Sequence, residues 1–559
     1  MSFEGQDEKY LEPSSSAPQD GAVTEVLGSD SPNLDLANDP HRGLRMRHVQ
    51  LIAISGSIGS ALFVSIGNPL TGAGPLGLLI GIGLWCVVVW TASNCLIEMT
   101  VLLPLDGGFV RFAGRFVDWS LGMAVGWNYI ITQLALICFE LTSINVIVEY
   151  WTTTLNPAVL ISVCLVILFL VNIWSVRWFG EIEFFISVTK LFLMAGLTMY
   201  TFVTMVGGNP LHDKYGFRFW KNPGPFAGEV NFRKVITGIF DSVSWATFAV
   251  VGPDYISLIG GEVKNPRRIL PKAFNTTIYR IVGFYMTGAL CVGITASATD
   301  ENLLGAISAG APGAAKSPYV ISMNRLGIPV LPDIVNALIL VSLFSTANSF
   351  TFVASRSIYS LAQKGQAPRI FTKINRHGVP YLSVTITLLV GCLSYLSVSS
   401  GTVKVLNWWI NLVTAAQLVS WTVIAITYLR FRKGLIAQNL LNTDFLPVRG
   451  YLQPFSGWYL LVWSPIVLFF SGYYVFLPGA FTAPDFVFAY GSVFIFLAIL
   501  IGAKVYDVIK HKKKHIWIPA EEIDFVSDVD HIEELTAASE EKRAMKSQTK
   551  VQKVSDFFF

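Results

Sequence analysis

Ser55 to Phe63 reads SGSIGSALF, with two glycines and three serines set inside a long apolar run. Glycine costs a helix about 1 kcal/mol relative to alanine, and hydroxyl side chains compete for backbone hydrogen bonds. In lipid, an interrupted helix survives only where it is buried in protein or lines a wet cavity. The stretch therefore reads as bare N–H and C=O groups meeting a polar solute, with close packing of small residues as the bland alternative. A second interruption, FAVVGPDYISLIGGE from Phe248 to Glu262, tips the balance toward the solute. Its Gly252-Pro253 pair removes an N–H donor and disfavours helix in the residue before it.

Around these two stretches the chain is a membrane sequence. Of its 559 residues 53% are hydrophobic and 14% charged, too little charge for a soluble chain of that length. Mean hydropathy is +0.54. The net charge of +3 leaves no electrostatic footprint for nucleic acid. Cys86, Cys95, Cys138, Cys164, Cys291 and Cys392 all fall in apolar runs without metal-ligand spacing and read as small hydrophobes. No triad, phosphate loop or metal motif is present; neither an enzyme nor a cofactor is expected.

About twelve apolar runs follow one another, each long enough for the ~20 residues that a spanning helix needs. They lie near 48–67, 76–103, 119–148, 157–176, 182–206, 236–260, 278–298, 333–360, 381–399, 403–430, 458–477 and 485–508. The Ser/Pro-rich residues 1–45 read as a disordered tail, 46–510 as the membrane domain and 511–559 as a second tail. Basic residues recur in every second connection, which puts both termini in the cytoplasm. The 207–235 connection dissents, and its KYGFRFWKNPGPF reads as a compact external cap.

The interrupted runs are the first and sixth, five spans apart and opposite in orientation. That spacing suits an inverted five-plus-five repeat (46–206 and 236–430) with two appended helices (458–508). The expected fold is all-α, LeuT-like, with about twelve transmembrane helices. Half-helix starts favour an anion and freed carbonyls a cation, so the pair of breaks fits a zwitterion such as an amino acid.

Five stretches in order resemble motifs of the fungal amino acid permeases of the amino acid–polyamine–organocation superfamily. They are RGLRMRHVQLIAISGSIGSALFVSIG, GEIEFFISVTK at Gly180–Lys190, the run from Phe248 through GGEVKNPRRILPKA, STANSFTFVASRSIYSLAQKGQAPRIF at Ser345–Phe371, and LNWWINLVTAAQLVSWTVIAITYLRFRKGL. The match runs from about Gly43 to Glu522. It implies proton-coupled uptake across the plasma membrane by alternating access; the expected partners are a small-molecule substrate, the proton and membrane lipids.

By that resemblance, backbone around Ser55, Gly56, Ser57, Gly59, Ser60 and Ala61 holds the substrate carboxylate. Phe248 is an aromatic gate, and the carbonyls of Phe248, Ala249 and Val251 face the ammonium. The family commonly has GG before the isoleucine and Thr-Gly after the turn. Here Ser55 and Ser60-Ala61 stand instead, which bears on specificity. Lys190 matches a lysine that takes a sodium ion's place in proton-coupled members, against the bland reading of a lysine snorkelling to the interface. Glu140 matches a third-helix glutamate, read as proton relay, counter-charge to a basic substrate, or helix-to-helix hydrogen bonding. Asp254 stands where relatives carry Glu, read as a cation or proton site or as a cap for a freed N–H. Ser345, Asn348 and Ser349 are weaker cavity-lining candidates, read alternatively as bonding helix to helix. Two further readings keep their place: the same machinery carrying carnitine or a polyamine, and a nutrient sensor that binds without transporting.

Overall fold

The computed structural model describes residues 59–537 apart from 60, 153, 229–230, 264, 309–316, 401, 444, 480, 512–515, 530–531 and 534–535. The described residues are helical with connecting turns and fall in one compact unit. The helices used below are α1 (Gly67–Leu102), α2 (Gly108–Phe116), α3 (Trp119–Val148), α4 (Pro157–Trp174) and α5 (Val176–Met205). There follow α6 (Phe232–Ala249), α7 (Pro253–Leu258), α8 (Pro266–Thr295), α9 (Glu301–Ser308), α10 (Pro318–Arg325) and α11 (Leu331–Gln363). The last are α12 (Tyr381–Gly391), α13 (Thr402–Ala437), α14 (Phe455–Ser471) and α15 (Ala483–His511).

Ten stretches among the described residues are long and apolar enough to span a membrane, and α14 is a shorter apolar helix. Of the first run, 48–67, residues 59 and 61–67 are described. With it the count agrees with about twelve spans. The amphipathic α2 and the short α9 and α10 were not read from sequence, because their apolar residues are too few to register as spans.

Helix ends follow local chemistry. Asp118 caps α3 by accepting from the Ser120 N–H, and Asn156 caps α4 with Pro157 at its first position. Instead of a loop between the first two runs, α1 continues through a kink at Gly74 (φ 77°), followed by Pro75. The kink exists because the 207–235 connection presses on it. A side chain at Gly74 would sit 2.6 Å from the Phe226–Ala227 backbone, and Pro225 accepts from the Leu76 N–H at 2.9 Å. That connection is the compact element expected, closed by the Asp213–Arg218 pair.

The chain buries its polar groups centrally and turns apolar ones outward. α3, α11 and α13 are the most enclosed spans, whereas α4, α5 and α15 expose Val159, Leu170, Phe192, Phe494 and Ile501. Lipid tails give helices no hydrophobic reason to associate, so close approach of small residues does that work. A Cβ at Gly81 would lie 2.4 Å from Ser242, and one at Gly122 would lie 2.7 Å from the Gly114 backbone. Two packs result: α1 against α6 and α8, and α3 against α11, with α13 lying along α3.

Candidate functional site

The break between α6 and α7 is built by its own sequence. The Val250 N–H still reaches Ala246, then Gly252 adopts φ 154° and Pro253 opens α7. Three residues thus leave the helix at mid-span. Tyr285 of α8 donates to the Ala249 carbonyl and Trp85 of α1 to that of Val250, at 3.1 Å for the latter. Among the described residues no hydrogen bond reaches the Phe248 or Val251 carbonyl, so of the three expected cation ligands Ala249 is the one already engaged.

Asp254 faces back into this break. Its Oδ1 accepts the Gly252 N–H at 3.3 Å and its Oδ2 accepts from Gln417 of α13 at 3.3 Å. Tyr255 donates to Gln133 of α3 at 3.1 Å. The capping alternative for Asp254 is therefore the geometry found, and it places the carboxylate among the groups that hold the break open.

Phe248 lies edge-on to Phe139 of α3, ring centroids 4.8 Å apart. On the Phe139 side of this pair lies a cavity of about 110 Å³, lined by Ser65, Asn68, Phe139, Ser143, Asn407 and Ile410 among others. Residues flanking the two interruptions make contact beside it. Trp245 of α6 donates to Ser65 at 2.9 Å, and Ser317 donates to the freed Phe63 carbonyl at 2.7 Å. Residues Ala61–Ser65 form a wide π-type turn before α1, with Ala61 buried in it. Ser55, Gly56, Ser57 and Ser60 lie outside the described residues.

Gly59 of the opening stretch touches a second set of residues. A Cβ there would come within 2.9 Å of Glu140 Oε1 and 3.5 Å of the Thr346 methyl. Thr346, on α11, accepts from Lys190 Nζ at 2.9 Å. Lys190 has no exposed surface, which removes the snorkelling alternative. The carboxylates that act on its charge are Glu183 and, more weakly, Glu140. Gly59, Glu140, Lys190 and Thr346 thus form one buried group where the first interruption passes α3, α5 and α11.

Glu183 was missed by sequence reading. It accepts from Ser345 at 2.5 Å and from Asn348 at 3.0 Å, with Ser187 at 3.3 Å, and Asn348 in turn accepts from Asn172 at 2.8 Å. Ser345 and Asn348 are thus spent on Glu183 instead of facing a cavity, and Ser349 is buried. The signal lay in GEIEFFISVTK, where Glu183, Ser187 and Lys190 are spaced i, i+4, i+7 on one helical face. An ionisable group inside a membrane protein is costly unless paired, and here the pairing is extensive.

The family described as "Amino acid permease" matches residues 48–517. The chain is 40% identical over 508 residues to the general amino acid permease AGP2 of Saccharomyces cerevisiae, covering 89% of this chain and 83% of that protein. It is 39% identical over 470 residues to a proline-specific permease of Emericella nidulans, covering 83% and 85%. In fold it is similar to a manganese transporter of Eremococcus coleocola, with TM-score 0.51 and 13% identity over 83% of this chain and 94% of that one.

Proposed function

From the premise that this chain belongs to the amino acid permease family, a group of multi-pass membrane transporters that are not enzymes, we propose that it imports an amino acid with an uncharged side chain together with protons. Transport of amino acids across a membrane follows from membership. Proton coupling, alternating access, a plasma-membrane location and cytoplasmic termini are our reading.

The observation that carries it is the buried group of Lys190, Thr346, Glu140 and Glu183 beside Gly59. A protonated Lys190 donates to Thr346 of α11 and attracts Glu183 on its own helix and Glu140 of α3. Loss of its proton weakens that bond and removes the attraction to the carboxylates just where the first broken segment passes. The proton thus sets how firmly this segment is held against α3, α5 and α11, and the substrate carboxylate, bound by the segment's N–H groups, reports on the same contact. The ammonium falls to the Phe248 and Val251 carbonyls. Phe248 and Phe139 close over the solute from the side of the small cavity. The cavity's described polar side chains are amides and hydroxyls, which supports an uncharged side chain on the substrate. Proline-specific relatives support the same choice.

The test is reconstitution in liposomes with labelled proline, lysine, glutamate, carnitine and spermidine, with and without an inward proton gradient. Gradient-dependent accumulation of proline is the expected result. Accumulation of carnitine or spermidine alone would assign the machinery to another cargo, and binding without accumulation of any of them would make the protein a sensor.

A further inference from the structure

The chain beyond the last span does not hang free of the bundle. The Ile518 N–H donates to the Val117 carbonyl at 3.0 Å, between α2 and α3. Arg430 of α13 donates to the Ile518 carbonyl, and Gln438 Nε2 donates to the carbonyls of Ala520, Glu521 and Ile523, at 2.7 Å for the last. Phe525 is wholly buried, its ring centroid 5.6 Å from those of both Phe116 on α2 and Phe431 on α13. Gly434 makes room for this: a Cβ there would lie 2.8 Å from the Ile523 and Phe525 side chains. Val529 and Ile532 are buried as well.

Charge completes the fit. Arg115 donates to Asp524 and Asp528, both at 2.9 Å, and to the Ser527 carbonyl. Arg111 lies 3.8 Å from Asp528, and Arg267 at the start of α8 lies 3.7 Å from Glu533. An acidic segment with one aromatic anchor therefore sits on a basic platform with one aromatic pocket. The platform draws on both packs of the fold. Val117 leads into α3, on the α3–α11 side, whereas Arg267 opens α8, on the α1–α6–α8 side. One segment is tied to both at the same end of the molecule.

We propose that residues 516–533 form a strap that holds the two packs together at this end and must lift before the substrate leaves there. The inference rests on the alternating-access reading. Opening that end requires the packs to separate, and separation cannot proceed while Arg267–Glu533 and the Phe525 anchor both hold. Undocking exposes the aromatic pocket and frees four arginine-to-acid contacts at once, so the strap behaves as a two-state element rather than a soft spring.

Two measurements on the full chain in liposomes test this. In a Cys392→Ser background, Arg267→Cys and Glu533→Cys are joined by a cleavable bismaleimide, and uptake of labelled proline is followed before and after reduction. The strap predicts at least a tenfold loss of uptake on linking, restored by reductant; uptake unchanged by linking overturns it. Independently of transport, hydrogen exchange of the α7 amides is compared between the wild type and Phe525→Asp. Exchange about tenfold faster in the variant is expected, because the inner end opens more often; equal exchange overturns the strap. If the unlinked wild type moves no amino acid while α7 exchange accelerates, the transport reading fails and the strap stands.

Discussion

Lys190 and Thr346 meet across α5 and α11, Nζ donating to Oγ1 at 2.9 Å, and the same threonine lies against the Gly59 position of the first interruption. A membrane lysine with no exposed surface is thereby tied, through one hydroxyl, to the segment expected to hold the substrate carboxylate. The arrangement gives the proton and the substrate a common mechanical element.

Replacing the lysine separates coupling from binding. Lys190→Ala should lower proline accumulation under a proton gradient at least about tenfold, while exchange of internal for external proline persists. The expected change exceeds about 1.4 kcal/mol of driving force. Paired accumulation and exchange assays in one liposome preparation check it.

Gly59→Val adds a branched side chain where even a Cβ would come within 2.9 Å of Glu140. The expected outcome is loss of substrate affinity by about tenfold or more with normal amounts of protein in the membrane, since overpacking costs about 1–3 kcal/mol. Proline binding by the purified variant, set beside its surface expression, gives the answer.

Gly252 carries φ 154° in the second break. Alanine there is strained by about 1–3 kcal/mol, so Gly252→Ala should lower the thermal unfolding midpoint in detergent and slow uptake together. Asn348→Leu removes a donor from buried Glu183. It should cost about 1–3 kcal/mol of stability, read as a lower midpoint.

The strap has its own pH dependence. Burial would lift the Asp524 carboxyl, but the N–H of Ser527 and the guanidinium of Arg115 hold it below its ordinary 3.8. A depressed carboxylate stabilises the docked state fully above that value and loses its contribution as pH falls through the lower, docked-state value. Docking should therefore be constant between about pH 5 and 8 and weaken only below about pH 4. A fluorophore at Ser527→Cys, with its quenching followed against pH, measures this.

The fold was legible because its decisive residues act locally. Gly252-Pro253 breaks a helix whatever surrounds it, and a run such as 157–176 spans a bilayer by length and composition alone. Lys190 was legible for a similar reason, being an ionisable group in an apolar run. Which of the two readings of Asp254, Ser345 and Asn348 holds was not, because the Gln417 bond to Asp254 and the cluster around Glu183 depend on which helices become neighbours. Residues 516–533 were opaque on the same ground. Nothing in DFVSD says that Phe525 finds Phe116 and Phe431, which lie 409 and 94 positions earlier in the chain.

The claim beneath all of this is that two interrupted helices grip both charged ends of one solute. Its most direct measurement is competition against labelled proline by prolinamide, which lacks the carboxylate, and by tetrahydrofuran-2-carboxylate, which lacks the ammonium. Each should bind at least about tenfold more weakly than proline, a loss of about 1.4 kcal/mol or more. If either competes as well as proline itself, one of the two ends is not held and the account is contradicted.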